Sequence, residues 1–261
     1  MSAPRLWLVP ALAALGLAAL LASGTDRSLF LSLNGIGPAT SDWAWANVTV
    51  LGDTLVGFTL CLPLWRRRPD LVWAFALAAL LGTAWARGLK PLVDEARPPA
   101  VLDGLVHLIG PARSSEGFPS GHPTTAFAIA GLYALGLRSR ALAGAALALA
   151  LLVALSRVVV GVHWPVDVLG GALGGWLAAA GGIALARRTP RVGRHAATQA
   201  CIGAFLVVCA LLLVAGVPHR EYADAVYLER AIGLACLAAA AGALWRDARL
   251  GHAGLGGRAD L

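Results

Sequence analysis

Three short segments concentrate the residues able to do chemistry: Lys90-x6-Arg97-Pro98, Pro119-Ser120-Gly121-His122, and Ser156-Arg157-x5-His163-x3-Asp167. Together they offer cations, two histidines, one carboxylate and a helix start. A bound phosphate and a displacement at phosphorus require that set. His163 and Asp167 stand four residues apart, so a helix beginning here puts them on one face, where the carboxylate accepts a hydrogen bond from one imidazole nitrogen. The other nitrogen is then an oriented nucleophile. His122 directly precedes Pro123, and proline favours the first position of a helix. Gly121 and His122 therefore fall at a helix amino end, where backbone amides favour an anion. Nearby phosphate oxygens stabilise a protonated histidine, which suits His122 to the role of general acid. The planar forks of Arg97 and Arg157 and the point charge of Lys90 would neutralise the equatorial oxygens without a divalent ion. Singly, each residue has a plainer reading: an interfacial arginine snorkels, a Ser-Gly pair is a loop, and a histidine beside Trp164 is an interface residue.

The elements that must position these residues are membrane helices. Of 261 residues, 58% are hydrophobic and 13% charged, with mean hydropathy +0.72, which excludes an ordinary soluble domain. Apolar runs recur at Leu6–Ala22, Val48–Leu64, Leu71–Leu89, Pro123–Leu137, Ala141–Val160, Val166–Ala186, Ala197–Val217 and Ala231–Leu244. Each is near the ~20 residues that cross a bilayer, so the simplest count is eight transmembrane helices. The run from Pro123 to Leu137 rises only about 22 Å, which sets its outer end below the membrane surface, inside a protein cavity. The first run follows Arg5 and ends in small residues like a secretory signal, but its length favours a retained anchor.

Net charge is +7, and the basic residues sit in short gaps rather than in a nucleic-acid-binding face. Arg5, Arg66 to Arg68, Arg138, Arg140, Arg187, Arg188, Arg191, Arg194, Arg246, Arg249 and Arg258 fall in alternate gaps and mark the cytoplasmic side. All three polar segments then lie together on the opposite side, with both termini cytoplasmic. The gap from Lys90 to Gly121 is the long one, and long ordered loops tend to be functional. Gly170, Gly171, Gly174 and Gly175 give the sixth run small-xxx-small spacings that let a neighbouring backbone approach closely. Cys61, Cys201, Cys209 and Cys236 lie inside apolar runs without ligand spacing and read as small buried hydrophobes. Asp53 and His107 have no partner at a recognisable spacing.

In residue type and internal spacing the three segments resemble the signature of type 2 phosphatidic acid phosphatases, a superfamily that also includes vanadium haloperoxidases and soluble acid phosphatases. The resemblance runs in order from about Leu71 to Ala186. It implies a phosphohistidine at His163, Asp167 as its orienting partner, His122 as the acid, and phosphate binding by Lys90, Arg97, Ser120, Gly121 and Arg157. It further implies an all-α polytopic bundle with the site facing outward and neither metal nor cofactor. The expected organisation is a single membrane domain over residues 1–261, a six-helix core with its motifs in 71–186, and two additional transmembrane helices in 197–245. Two features depart from the pattern: Pro123 follows the second motif, and the last two helices extend beyond the core. The expected function is hydrolysis of a lipid phosphate monoester or pyrophosphate at the outer face of a bacterial-type cytoplasmic membrane. Partners would be membrane lipids, with no nucleic acid and no obligatory protein partner. A phosphotransferase of the same fold is the nearest alternative. A transporter lacks support, since there is no internal repeat and no charged midplane cluster.

Overall fold

The computed structural model describes residues 3–137, 139–216 and 222–256. Arg138, Arg258 and Val217, which entered the charge and run patterns, lie outside them. Every regular element among the described residues is helical. Helix α1 (Ala3–Ser23) turns by 110° into α2 (Asp26–Asn34) at Gly24, whose φ of +65° costs glycine nothing. Helices α3 (Asp42–Val50) and α4 (Thr54–Cys61) meet at 59°. Then come α5 (Pro69–Val93), the single turn α6 (Pro98–Val101), α7 (Gly121–Gly136), α8 (Arg140–Val159), α9 (Pro165–Arg188), the short α10 (Pro190–Arg194), α11 (Ala196–Ala215) and α12 (Val226–Gly256).

Among the described residues each of the eight apolar runs is mostly helical, yet they do not make eight full-length spans. Five helices are long and apolar enough to cross a bilayer, and the count rises to seven when each bent pair is taken as one span. The second run breaks because Asp53 accepts the amide of Leu55 at 2.6 Å, so its carboxylate caps a new helix inside the apolar stretch. Helix α7 has sixteen residues, a rise of about 24 Å, and falls short of a hydrocarbon core. The chain is a polytopic helical membrane protein.

Helix α9 is the centre of the bundle and packs on α7, α5 and α1. In lipid no hydrophobic force joins helices, so close packing must do it. A Cβ at Gly171 would collide with the carbonyl of Ser120, and one at Gly175 with that of Thr124, while Gly174 faces Trp85. The glycine pairs thus let the start of α7 lie directly on α9. Three of the cysteines are buried among apolar side chains, as expected; Cys201 is instead exposed on α11, and all four are free thiols.

Candidate active site

The carboxyl end of α5, the amino end of α7, the carboxyl end of α8 and the amino end of α9 converge at one end of the bundle. Helix α5 continues past Lys90 to Val93, so the long connection is shorter than expected and carries the α6 turn within it. The amide of Arg97 donates to Ser114 O and that of Gly117 to Glu95 O, each at 2.9 Å, which folds this connection back on itself. Asn34 secures its other part, donating to His107 O and Val159 O and accepting the His107 amide. His107 pairs with Asp42 at 2.9 Å and does not reach the cavity wall.

Helix α9 starts at Pro165, so His163 lies before it and Asp167 in its first turn. Their pairing is therefore not that of two residues on one helix face. Asp167 folds back over the helix start, where its Oδ2 accepts both the amide of Trp164 and Nδ1–H of His163, each at 3.0 Å. A second carboxylate, Asp26 of α2, accepts the next free amide, Val166 N, at 3.0 Å. Trp164 is fixed by its indole N–H on Ala96 O at 2.8 Å and by the ring of Phe30 at 5.1 Å.

Arg97 is 6% exposed and is held by three carbonyls: Nε donates to Ser115 O, Nη1 to Val162 O and Nη2 to Glu116 O. Lys90 Nζ also donates to Glu116 O, and Glu116 is held at φ +53°. Nη1 of Arg97 further lies 3.2 Å from His163 Nε2. Arginine has no acceptor, so Nε2 must be the unprotonated nitrogen and Nδ1 the donor to Asp167. This is the tautomer a nucleophile needs.

Helix α7 begins two residues earlier than expected. Ser120 stands at the N-cap position without a side-chain capping bond, Gly121 and His122 occupy the first two helical positions, and Pro123 is third, where its missing N–H costs no hydrogen bond. Ser120 is fully buried, its amide donates to Asp167 O at 3.0 Å, and it does not line the cavity. The backbone of Ser120 thus sits in the join between α7 and α9, and its buried Oγ has no hydrogen-bond partner among the described residues. Gly121 and His122 do reach the cavity wall.

That cavity has a volume of about 540 Å³. Lys90, Arg97, Arg157, His122 and His163 line its polar end together with Arg87, Arg113 and Glu116, and Phe58, Phe75, Ala78 and Ala128 line the apolar part. Arg87 was legible, one turn before Lys90 on the same helix face; Arg113 and Glu116 carry no such spacing. Among the described residues no three His, Cys, Asp or Glu side chains gather as a metal-binding group.

Burial, followed by the charges of Arg97, Arg157 and Lys90, holds the pKa of His163 well below the usual 6.5. The group is neutral at neutral pH. A histidine depressed on folding binds its proton better when unfolded, so the stability it supports is present above 6.5 and lost as pH falls through the folded value. The thermal midpoint in detergent should therefore drop between pH ~7 and ~5, and drop less in His163→Asn. An unchanged slope in the variant would assign the acid sensitivity elsewhere.

A sequence model described as the PAP2 superfamily matches residues 70–191. The chain is 31% identical over 161 residues to the Escherichia coli (strain K12) protein named "Putative undecaprenyl-diphosphatase YbjG", covering 58% of this chain and 78% of that one. The crystal structure of Aquifex aeolicus LpxE superimposes with a TM-score of 0.56 at 29% identity, over 61% of this chain and 94% of the other. With its three motifs gathered at one end of a matching helical bundle, the chain belongs to the PAP2 superfamily.

Proposed function

We propose that the protein is a membrane phosphatase that hydrolyses a lipid phosphate monoester or pyrophosphate through a phosphohistidine at His163. The observation that carries this reading is the setting of His163 at the cavity wall beside Lys90, Arg97 and Arg157, with Nδ1 3.0 Å from Asp167 Oδ2 and Nε2 3.2 Å from Arg97 Nη1. Nε2 forms a bond to phosphorus as the bond from phosphorus to the lipid-side oxygen breaks, and the cations hold the equatorial oxygens. His122, at the cavity wall beside the amino end of α7, gives its proton to the departing oxygen. Water then attacks phosphorus, returns a proton to His122 and frees His163 with inorganic phosphate.

Walls that change from basic to apolar within one cavity support a lipid substrate whose headgroup meets the cations. The similarity to a protein named as an undecaprenyl-diphosphatase puts polyprenyl pyrophosphates first among the candidates, ahead of phosphatidic acid and phosphatidylglycerol phosphate. The arginine-rich gaps at the other end of the bundle support an outward-facing site with both termini cytoplasmic.

Phosphate release from a panel of lipid phosphates by detergent-purified protein, with excess chelator, tests the reaction. Release is expected with rates unchanged by chelator, because cations from the chain take the place of a metal. Loss of activity on chelation, restored by a divalent ion, would overturn the metal-free part; no release from any lipid would overturn the reading.

A further inference from the structure

Arg157 sits at the carboxyl end of α8, 4% exposed, with its guanidinium at the cavity wall. Unlike Arg97, it meets hydroxyls rather than carbonyls among the described residues. Its Nη1 donates to two hydroxyls, Thr49 Oγ1 at 2.6 Å and Tyr222 OH at 3.2 Å. Nε has no hydrogen-bond partner among the described residues, although it is buried. One nitrogen is thus tied back while another lacks an acceptor, as befits a fork held ready for an oxyanion.

Thr49 lies on α3 just before the break at Asp53. Tyr222 lies beyond the stretch that matches the superfamily, where the chain leaves α11 and starts the turn Ala223–Ala225 before α12. Its ring is 6% exposed and packs in a cluster with Ala46, Val50, Val160 and Val162. Val160 and Val162 belong to the same turn that carries His163. Asn47 adds a bond to Asp224 O at 3.5 Å. The C-terminal segment is in this way built into the wall behind the site.

We infer that the C-terminal helix pair completes the phosphate site: Tyr222, with Thr49, is a positioning residue that fixes the guanidinium of Arg157. The inference rests on the phosphatase reading. Without the two hydroxyls the arginine keeps its charge but loses its fixed direction, so phosphate binding weakens in ground and transition states alike.

The test uses the full chain in detergent, the lipid phosphate the wild type hydrolyses fastest, and orthovanadate as a trigonal-bipyramidal mimic of the transferring group. Tyr222→Phe should lower kcat/KM about tenfold, the scale of a lost hydrogen bond to a charged group, and raise the vanadate inhibition constant by the same factor. In an Arg157→Lys background the same change should cost less than about twofold, because coupled residues are not additive. A folded Y222F with wild-type kcat/KM and vanadate inhibition overturns the inference and leaves the phosphatase reading standing. Equal losses in the two backgrounds overturn it as well, since they mark a general structural effect. If Y222F does not fold, Thr49→Val and Thr49→Ser decide: loss in the first and retention in the second support the hydroxyl clamp, and wild-type turnover in T49V overturns it. A wild type that releases no phosphate removes the phosphatase reading, and this inference with it.

Discussion

Replacing His163 by alanine should lower phosphate release by about six orders of magnitude, because in the proposed mechanism this residue carries the bond to phosphorus. The variant should still fold, since Arg97 keeps its three carbonyl acceptors when Nε2 is removed. Asp167→Asn should cost less, about two to three orders, the scale of losing one preorganised electrostatic stabiliser. An amide oxygen there can still accept from Nδ1 and from Trp164 N, so the tautomer and the cap survive. What is lost is the negative charge that balances an imidazole turned cationic by phosphorylation. The two variants are separated by trapping: with substrate carrying labelled phosphorus and an alkaline quench, which preserves phosphoramidate bonds, wild type and D167N should retain label and H163A should not. Label retained by H163A, or turnover within tenfold of wild type, would place the nucleophile on another residue.

The residues that touch the cavity were mostly legible because their chemistry is local. Lys90 and Arg97, Gly121 and His122, Arg157 and His163 lie within short motifs, and an all-helical membrane bundle follows from run length alone. The supports were not legible, because they come from far along the chain. Asp26 reaches the start of α9 across 140 residues, and Thr49 reaches Arg157 across 108. Neither spacing has a local signature. The pairing of His163 with Asp167 was expected from a spacing of four, but the spacing arises from a cap, in which an aspartate three residues into the helix turns back over its start. Ser120 was expected at the phosphate from the motif; its amide is spent on Asp167 O in the join between α7 and α9, which no local spacing foretells, while its Oγ has no partner among the described residues. The break in the second run had a signal, Gly52-Asp53-Thr54, in which a capping carboxylate interrupts apolar residues; tertiary contact with His122 explains its position, since a Cβ on Gly52 would collide with that residue.

Arg97 should show the second largest loss. Arg97→Ala is expected to reduce kcat/KM about a thousandfold, the scale of removing a preorganised donor from a developing oxyanion. Arg97→Lys should recover little of it. Three nitrogens of the guanidinium meet Ser115 O, Val162 O and Glu116 O in three directions, and one ammonium cannot replace that fork. The unsatisfied carbonyls should lower the thermal midpoint in both variants, so a fall in stability alone does not identify the function of the residue. The acid response does. Arg97 is the leading charge that depresses the pKa of His163, after burial. Removing it moves that pKa upward toward the unfolded value, which narrows the pH window over which acid destabilises the fold. R97A should therefore be less active and less stable at neutral pH, yet lose proportionately less stability between pH ~7 and ~5 than the wild type does. An acid response equal to that of the wild type would mean that Arg97 does not set the charge state of His163, and its contribution would then reduce to holding the carbonyls of Ser115, Glu116 and Val162.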